Sequence, residues 1–201
     1  MIQSQHTQRG TTLVEVLIAA VIIGVGLLGI ASLQVKALQA STSAENRAKA
    51  TDVAWALADR MRANPRPDSF GGNNGYVSDA LAGNCPAAVE TRCAMTPDEE
   101  DATGITQCTH AQMATFDLFE ARCATNTGVK NVLAGGELVV TCADRDGSNA
   151  DPCDPGSDMT ITVTWSTRDF DDDDTDERDF TKDSISMTVN PGVDPMRVRD
   201  M

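Results

Sequence analysis

Between Val16 and Ile30 the chain carries no charged residue and no proline, and the apolar run extends on either side from Leu13 to Leu33. At ~1.5 Å of helical rise per residue, the 21 residues of this run span roughly 30 Å, the thickness of a bilayer's hydrocarbon core. One residue breaks the pattern. Glu15 sits two positions inside the run, where a carboxylate without a partner costs several kcal/mol, so an acid at this depth marks a functional site by default. Any fold for this chain must keep the run out of water and find a partner for Glu15.

The residues before the run are polar and end in Arg9-Gly10. A secretory signal places its cut after the apolar region, at a small-x-small site. Here the run is too long for such a signal and passes directly into more helix-favouring sequence. The punctuation lies in front instead: a Gly, a small polar pair, two aliphatics and Glu. That order reads as a cut that leaves the apolar segment on the mature protein.

Gly10-Thr11-Thr12-Leu13-Val14-Glu15 resembles the class III signal of type IV pilins and type II secretion pseudopilins. The resemblance implies that a membrane-embedded prepilin peptidase cuts after Gly10 and methylates the new amine of Thr11. Glu15 then becomes the fifth mature residue. Most members of the family have Phe or Met after the cut, where this chain has Thr11. The stretch from Gly26 to Gln34 resembles the PilV subgroup of minor pilins, and the resemblance continues through Phe116-Asp117-Leu118-Phe119 and Val132 to Glu137. It implies a structural subunit of the type IV pilus that works with other minor pilins and the major pilin. Such subunits prime assembly on the inner-membrane assembly platform, sit at or near the tip, and support piliation, twitching motility and adhesion. The implied location is the bacterial inner membrane, with the head in the periplasm, and then the pilus on the cell surface. The same signal also admits a minor pseudopilin of a type II secretion system. A membrane-anchored adhesive or calcium-binding module that never polymerises is the reading from another class.

A cut after Gly10 supplies what Glu15 lacks. The Thr11 amine lies one helical turn from Glu15, on the same face. When helices bundle, Glu15 meets the Thr11 amine of a neighbour, and the cost of leaving either charge unpaired selects one stagger between subunits. Gly24, Gly26 and Gly29 follow within the apolar helix, each costing about 1 kcal/mol relative to Ala. They form either a soft zone, which the resemblance favours as a place of local unwinding, or a small-residue face for close packing.

The expected architecture is α+β and pilin-like: a long N-terminal helix packed on a small antiparallel β-sheet head. Residues 1–10 form the leader, 11–34 the membrane and assembly helix, 35–64 its amphipathic continuation, and 65–201 the periplasmic or extracellular head. Ala50, Ala54, Leu57, Ala58 and Met61 recur at spacings of three and four, a stripe suited to lying on a sheet. Asn64-Pro65 ends the helix, because Pro disfavours the α conformation in the residue before it. A loop-rich connection follows, with a turn cluster at Gly71-Gly72-Asn73-Asn74-Gly75 and an acidic run from Asp98 to Asp101. Thr109-x-x-Gln112 fits a capping box opening a second helix, with Met113, Phe116 and Phe119 as its core side. Leu138 to Cys142, Met159 to Trp165 and Ser184 to Val189 are β-favouring, and the last two alternate apolar with Ser or Thr. Their aliphatic face, with Trp165, is expected against the helix and their hydroxyl face against water.

All six cysteines, Cys85, Cys93, Cys108, Cys123, Cys142 and Cys153, follow the apolar run, and none forms a C-x-x-C pair. Zinc ribbons and thioredoxin-type sites are therefore not indicated, and up to three disulfides in an oxidising compartment are expected. Six cysteines allow ~15 pairings. Sequence proximity suggests Cys85–Cys93, Cys108–Cys123 and Cys142–Cys153. Asp144, Asp146 and Asp151 alternate oxygens around Gly147 as calcium loops do, without the closing Glu of an EF-hand. The acid-rich stretch from Asp169 to Asp179 has no Gly for a chelating turn. Both read as solvated loops, and neither a metal nor a cofactor is expected.

The formal charge of −14 argues against nucleic acid, whose binding rests on Lys and Arg at phosphates. It also disfavours a homopolymer of like-charged heads. With His6 in the leader, His110 is the one histidine of the mature chain, and no Ser-His-Asp or H-E-x-x-H constellation can be built from it. The chain reads as a non-enzyme.

Overall fold

The computed structural model describes residues 12–64, 75–77, 85–86, 91–95, 104–143, 153, 157–168 and 180–192. The order of elements is helix α1 (Leu13–Ala63), helix α2 (His110–Cys123), the single turn α3 (Val129–Val132), and strands β1 (Glu137–Ala143), β2 (Asp158–Arg168) and β3 (Phe180–Val189). The chain divides into two compact units, Met1–Ala44 and Glu45–Met201. The first holds the apolar run of α1. The second, the head, contains the rest of α1 and every other element.

Thr12 starts α1. Its carbonyl accepts from Glu15 N–H at 3.0 Å and its hydroxyl from the same group at 3.4 Å, satisfying donors that a helix start leaves open. The last turn holds Arg60 and Arg62, cations placed favourably at the negative end of the helix. Asn64 N–H donates back to Arg60 O at 3.0 Å, and Pro65 follows. The helix runs without a break through Gly24, Gly26 and Gly29.

In the head, the expected stripe of Ala50, Ala54, Leu57, Ala58 and Met61 is fully buried. It joins a cluster with Met159, Ile161, Val163 and Trp165 of β2, Leu138 and Val140 of β1, and Val189 of β3. The sheet is antiparallel in the order β1-β2-β3. Its registers place Leu138 opposite Val163, Val163 opposite Ile185, and Met159 opposite Val189, so the apolar positions share one face. On the other face the hydroxyls of Thr160 and Thr188 lie 3.4 Å apart, and those of Thr162 and Ser186 3.2 Å.

Helix α2 begins as expected, with both halves of the Thr109–Gln112 capping box in place. Its core side is shifted from the expected one. Ala114, Leu118 and Ala121 reach the main cluster, while Phe116 is buried outside that cluster and Met113 and Phe119 are half-buried. The turn from α3 to β1 needs Gly135, whose φ is +60° and whose missing Cβ would lie 2.5 Å from Ser166 Oγ.

Three disulfides close the head: Cys85–Cys123, Cys93–Cys108 and Cys142–Cys153. The third is the expected pair. The other two correct the expectation of Cys85–Cys93 and Cys108–Cys123. A parallel bridge between Arg92 and Ile105, with Thr106 N–H donating to Arg92 O at 2.9 Å, lays Cys93 beside Cys108. The end of α2 then carries Cys123 to Cys85, 38 residues away in sequence. Asp144, Asp146 and Asp151, the acidic runs Asp98–Asp101 and Asp169–Asp179, and the turn cluster as far as Asn74 lie outside the described residues, as do Met1 to Thr11.

Candidate functional site

The apolar unit is built to be covered. Every large apolar side chain from Leu13 to Leu33 is between 53% and 84% exposed, and this part of α1 is long and apolar enough to cross a membrane. A Cβ placed on Gly24, Gly26 or Gly29 would meet nothing within 4 Å. Gly26 and Gly29, three residues apart, share a face where another helix can approach closely.

Glu15 projects from the first turn of this helix, exposed, and among the described residues no base is in ion-pair contact with it. Its backbone amide, not its carboxylate, is held by Thr12. Gly10 and Thr11, the residues of the expected cut, lie outside the described residues.

A second polar assembly was not anticipated, and it lies where α1 ends. Asn64 is 4% exposed. Its amide nitrogen donates to His110 O at 2.7 Å and to the Tyr76 hydroxyl at 3.2 Å. Its carbonyl oxygen therefore accepts from His110 Nδ1 at 2.6 Å, which fixes the ring as a donor through that nitrogen. The Tyr76 hydroxyl donates in turn to Asp117 Oδ2 at 2.7 Å, and Arg60 approaches Asp117 Oδ1 at 3.5 Å. The chain His110–Asn64–Tyr76–Asp117–Arg60 ties the end of α1 to α2 and to residues 75–77. Burial drives the Asp117 carboxyl above the usual carboxylate range, against the hydrogen bond from Tyr76 and the charge of Arg60. Burial beside Asp117 also drives the Tyr76 phenol upward, so it stays protonated and donating. Each hydrogen-bonding group here meets a complement, and the network acts as a brace.

A third polar group, Arg122, is also buried and donates from Nε to Leu138 O at 2.9 Å, joining α2 to β1. On the same head a cleft of about 440 Å³ opens between α1, α2 and α3, with Val53, Ala56, Leu57, Ala121 and Val132 among its lining. His110 is exposed but engaged through its ring.

The model of the prokaryotic N-terminal methylation motif matches residues 5–31, and the family model Tt1218-like, type IV pilin Tt1218, matches residues 32–119. The two matches adjoin: a class III signal motif is followed directly by a stretch similar to a type IV pilin domain, and together they support a pilin subunit. Type IV pilins are structural subunits, which assemble with other pilins after processing by a prepilin peptidase. Comparison with curated proteins and with solved structures finds no match.

Proposed function

We propose that this chain is a minor pilin of the type IV pilus, of the PilV kind, made as a precursor and cut after Gly10. Residues 1–10 serve as the leader and 11–34 as the anchoring and assembly helix. Residues 35–64 continue that helix into the head, and 65–201 complete the head, held in the periplasm before assembly. One observation carries the reading: within a matched N-terminal methylation motif, Glu15, with no ion-pair partner among the described residues, opens a helix whose large apolar side chains from Leu13 to Leu33 are all exposed. Such a helix needs lipid before assembly and other apolar helices afterwards. The subunit acts with other minor pilins and the major pilin to start the filament, at or near its tip. The −14 charge supports a scarce subunit among different neighbours, because like heads repel.

The test is the mass of the chain's N-terminal peptide from cells with and without the prepilin peptidase. Loss of Met1–Gly10 and a methylated Thr11 amine, both dependent on the peptidase, are expected. A mature chain that begins elsewhere refutes the reading. Deleting the gene addresses the priming role, since normal piliation and twitching in its absence remove it.

A further inference from the structure

The cleft of the head has the size and lining of a small-molecule site. Its volume of about 440 Å³ falls within the usual range for such sites, about 300–1,000 Å³. Val53, Ala56 and Leu57 line it from α1, Ala121 from α2 and Val132 from α3. Lys49, Val53, Ala56 and Arg60 follow at spacings of three and four, so the cleft runs along one side of α1 for about three turns. Asn126 and Thr127, in the turn between α2 and α3, add uncharged polar groups. Trp55, next to Ala56 in sequence, stays half-exposed, with the Arg62 guanidinium 5.9 Å from its ring.

Charge at the cleft is one-sided. Both of its bases are engaged by acids that are not part of the lining. The Lys49 amine lies 2.7 Å from Glu45, and the Arg60 guanidinium 3.5 Å from Asp117. Asp52, exposed on the same side of α1, has no ion-pair partner among the described residues. Glu120, only 4% exposed, adds a second carboxyl from α2.

We propose that this cleft binds a small organic cation, an amine whose alkyl or aryl body lies on the apolar residues and whose ammonium pairs with Asp52. Charge complementarity selects this occupant. An anion meets Asp52 and Glu120, and it approaches a chain of net charge −14. A neutral molecule of the same shape gains the apolar contact but strips water from Asp52 and returns no partner. An ammonium supplies that partner, and the apolar lining beside it strengthens the attraction relative to open water. The net charge of the chain also concentrates small cations around it. All of the lining lies within the head, so the site holds whether or not the chain enters filaments.

The test titrates the full chain, in a neutral detergent, with phenethylamine, phenethyl alcohol and phenylacetate, three probes of similar shape and different charge. Binding is read as the rise in thermal midpoint that each probe produces. The amine is expected to raise it with an apparent affinity at least tenfold above that of the alcohol, and phenylacetate is expected to leave it unchanged. Asp52→Asn keeps the shape of an exposed side chain and should bring the amine down to the level of the alcohol, a loss of about tenfold. Ala56→Phe fills the cleft from an exposed position and should abolish the rise. Near-ultraviolet circular dichroism of each variant without probe verifies its fold. No rise with the amine up to roughly 10 mM overturns the proposal. Equal rises for the three probes overturn it as well, since they mark an effect on the detergent or a site blind to charge. A rise that survives Asp52→Asn removes the ammonium pairing, and one that survives Ala56→Phe in a folded chain puts binding elsewhere; either overturns the site.

Discussion

Leu57 and Trp55 stand two residues apart on α1 and separate what folds the head from what the head presents. Leu57 is fully buried in the main cluster, whereas Trp55 is 51% exposed. Leu57→Ala removes apolar atoms and leaves a void that helix and sheet can only partly close, so the loss is about 2–5 kcal/mol, with ~3 kcal/mol central. For a chain of this size each kcal/mol moves the thermal midpoint by roughly 2–4 °C, which gives a fall of about 6–12 °C. Trp55→Ala gives up a cation–π contact worth about 0.5–1 kcal/mol and no core packing, a fall of roughly 1–4 °C. The assay is thermal unfolding of the full chain in detergent, followed by near-ultraviolet circular dichroism, which reads the packing of buried Trp165. Equal shifts for the two variants would refute the placement of the core on the Ala50–Met61 stripe. So would a larger shift for Trp55→Ala.

Peptide mapping without reduction is expected to find Cys85 linked to Cys123 and Cys93 to Cys108, and a Cys85–Cys93 peptide would overturn the arrangement. Breaking Cys93–Cys108 by a double Cys→Ser change removes a closure of 15 residues, and the loss expected from chain entropy is about 3 kcal/mol, readable as a lower midpoint. Because burial raises the Asp117 carboxyl, the folded state holds this proton more tightly than the unfolded one. Its contribution is complete below the unfolded value and is lost as pH rises through the raised folded value. Asp117→Asn should therefore flatten the fall in thermal midpoint above the ordinary carboxylate range, and an unchanged profile speaks against a buried charge. Thr109→Ala removes one half of the capping box and is expected to cost about 1 kcal/mol of stability, whereas Thr109→Ser should cost far less; equal losses would show that the hydroxyl does not cap α2.

What was legible in the sequence follows from periodicity. The stripe from Ala50 to Met61 and the alternation from Met159 to Trp165 each bury one face, and a pattern of period 3.6 or 2 has only one way to do so. The capping box was legible because both of its partners lie within four residues. Asp117 was not, because a charged residue between Phe116 and Leu118 reads as solvent-facing, and its partners Arg60 and Tyr76 are distant in sequence. The single turn α3 was too short for any period to register. The disulfides failed for a related reason. Closure entropy grows only with the logarithm of loop length, each doubling adding about 0.6 kcal/mol. Sequence proximity therefore favours Cys85–Cys93 over Cys93–Cys108 by less than one backbone pairing, and the Arg92–Ile105 bridge decides. At the N-terminus the motif was legible, and the Thr11 amine expected to partner Glu15 lies outside the described residues.

Under the proposed reading α1 passes from lipid into a bundle of neighbouring helices, and Glu15 is where these two environments differ most. The side chains from Leu13 to Leu33 are as well served by lipid as by other apolar helices, so moving the helix from one to the other changes little for each of them. Nor do they choose a register, since one aliphatic ridge resembles the next. A carboxylate discriminates. On insertion scales an acid such as Asp at the centre of a helix costs ~2.5–3.5 kcal/mol, less near the end where Glu15 stands. An amine on a neighbour relieves that cost at one stagger only. Under the proposed reading, Glu15→Ala inserts at least as well as the natural chain and is cut normally, yet enters filaments at least tenfold less, the factor for about 1.4 kcal/mol. Glu15→Asp, one methylene shorter, falls between. The measurement is the ratio of filament-bound to membrane-bound chain by immunoblot, with N-terminal peptide mass to verify cutting. Full incorporation of Glu15→Ala would mean that apolar packing alone sets the stagger, and that the acid serves the peptidase or the membrane instead.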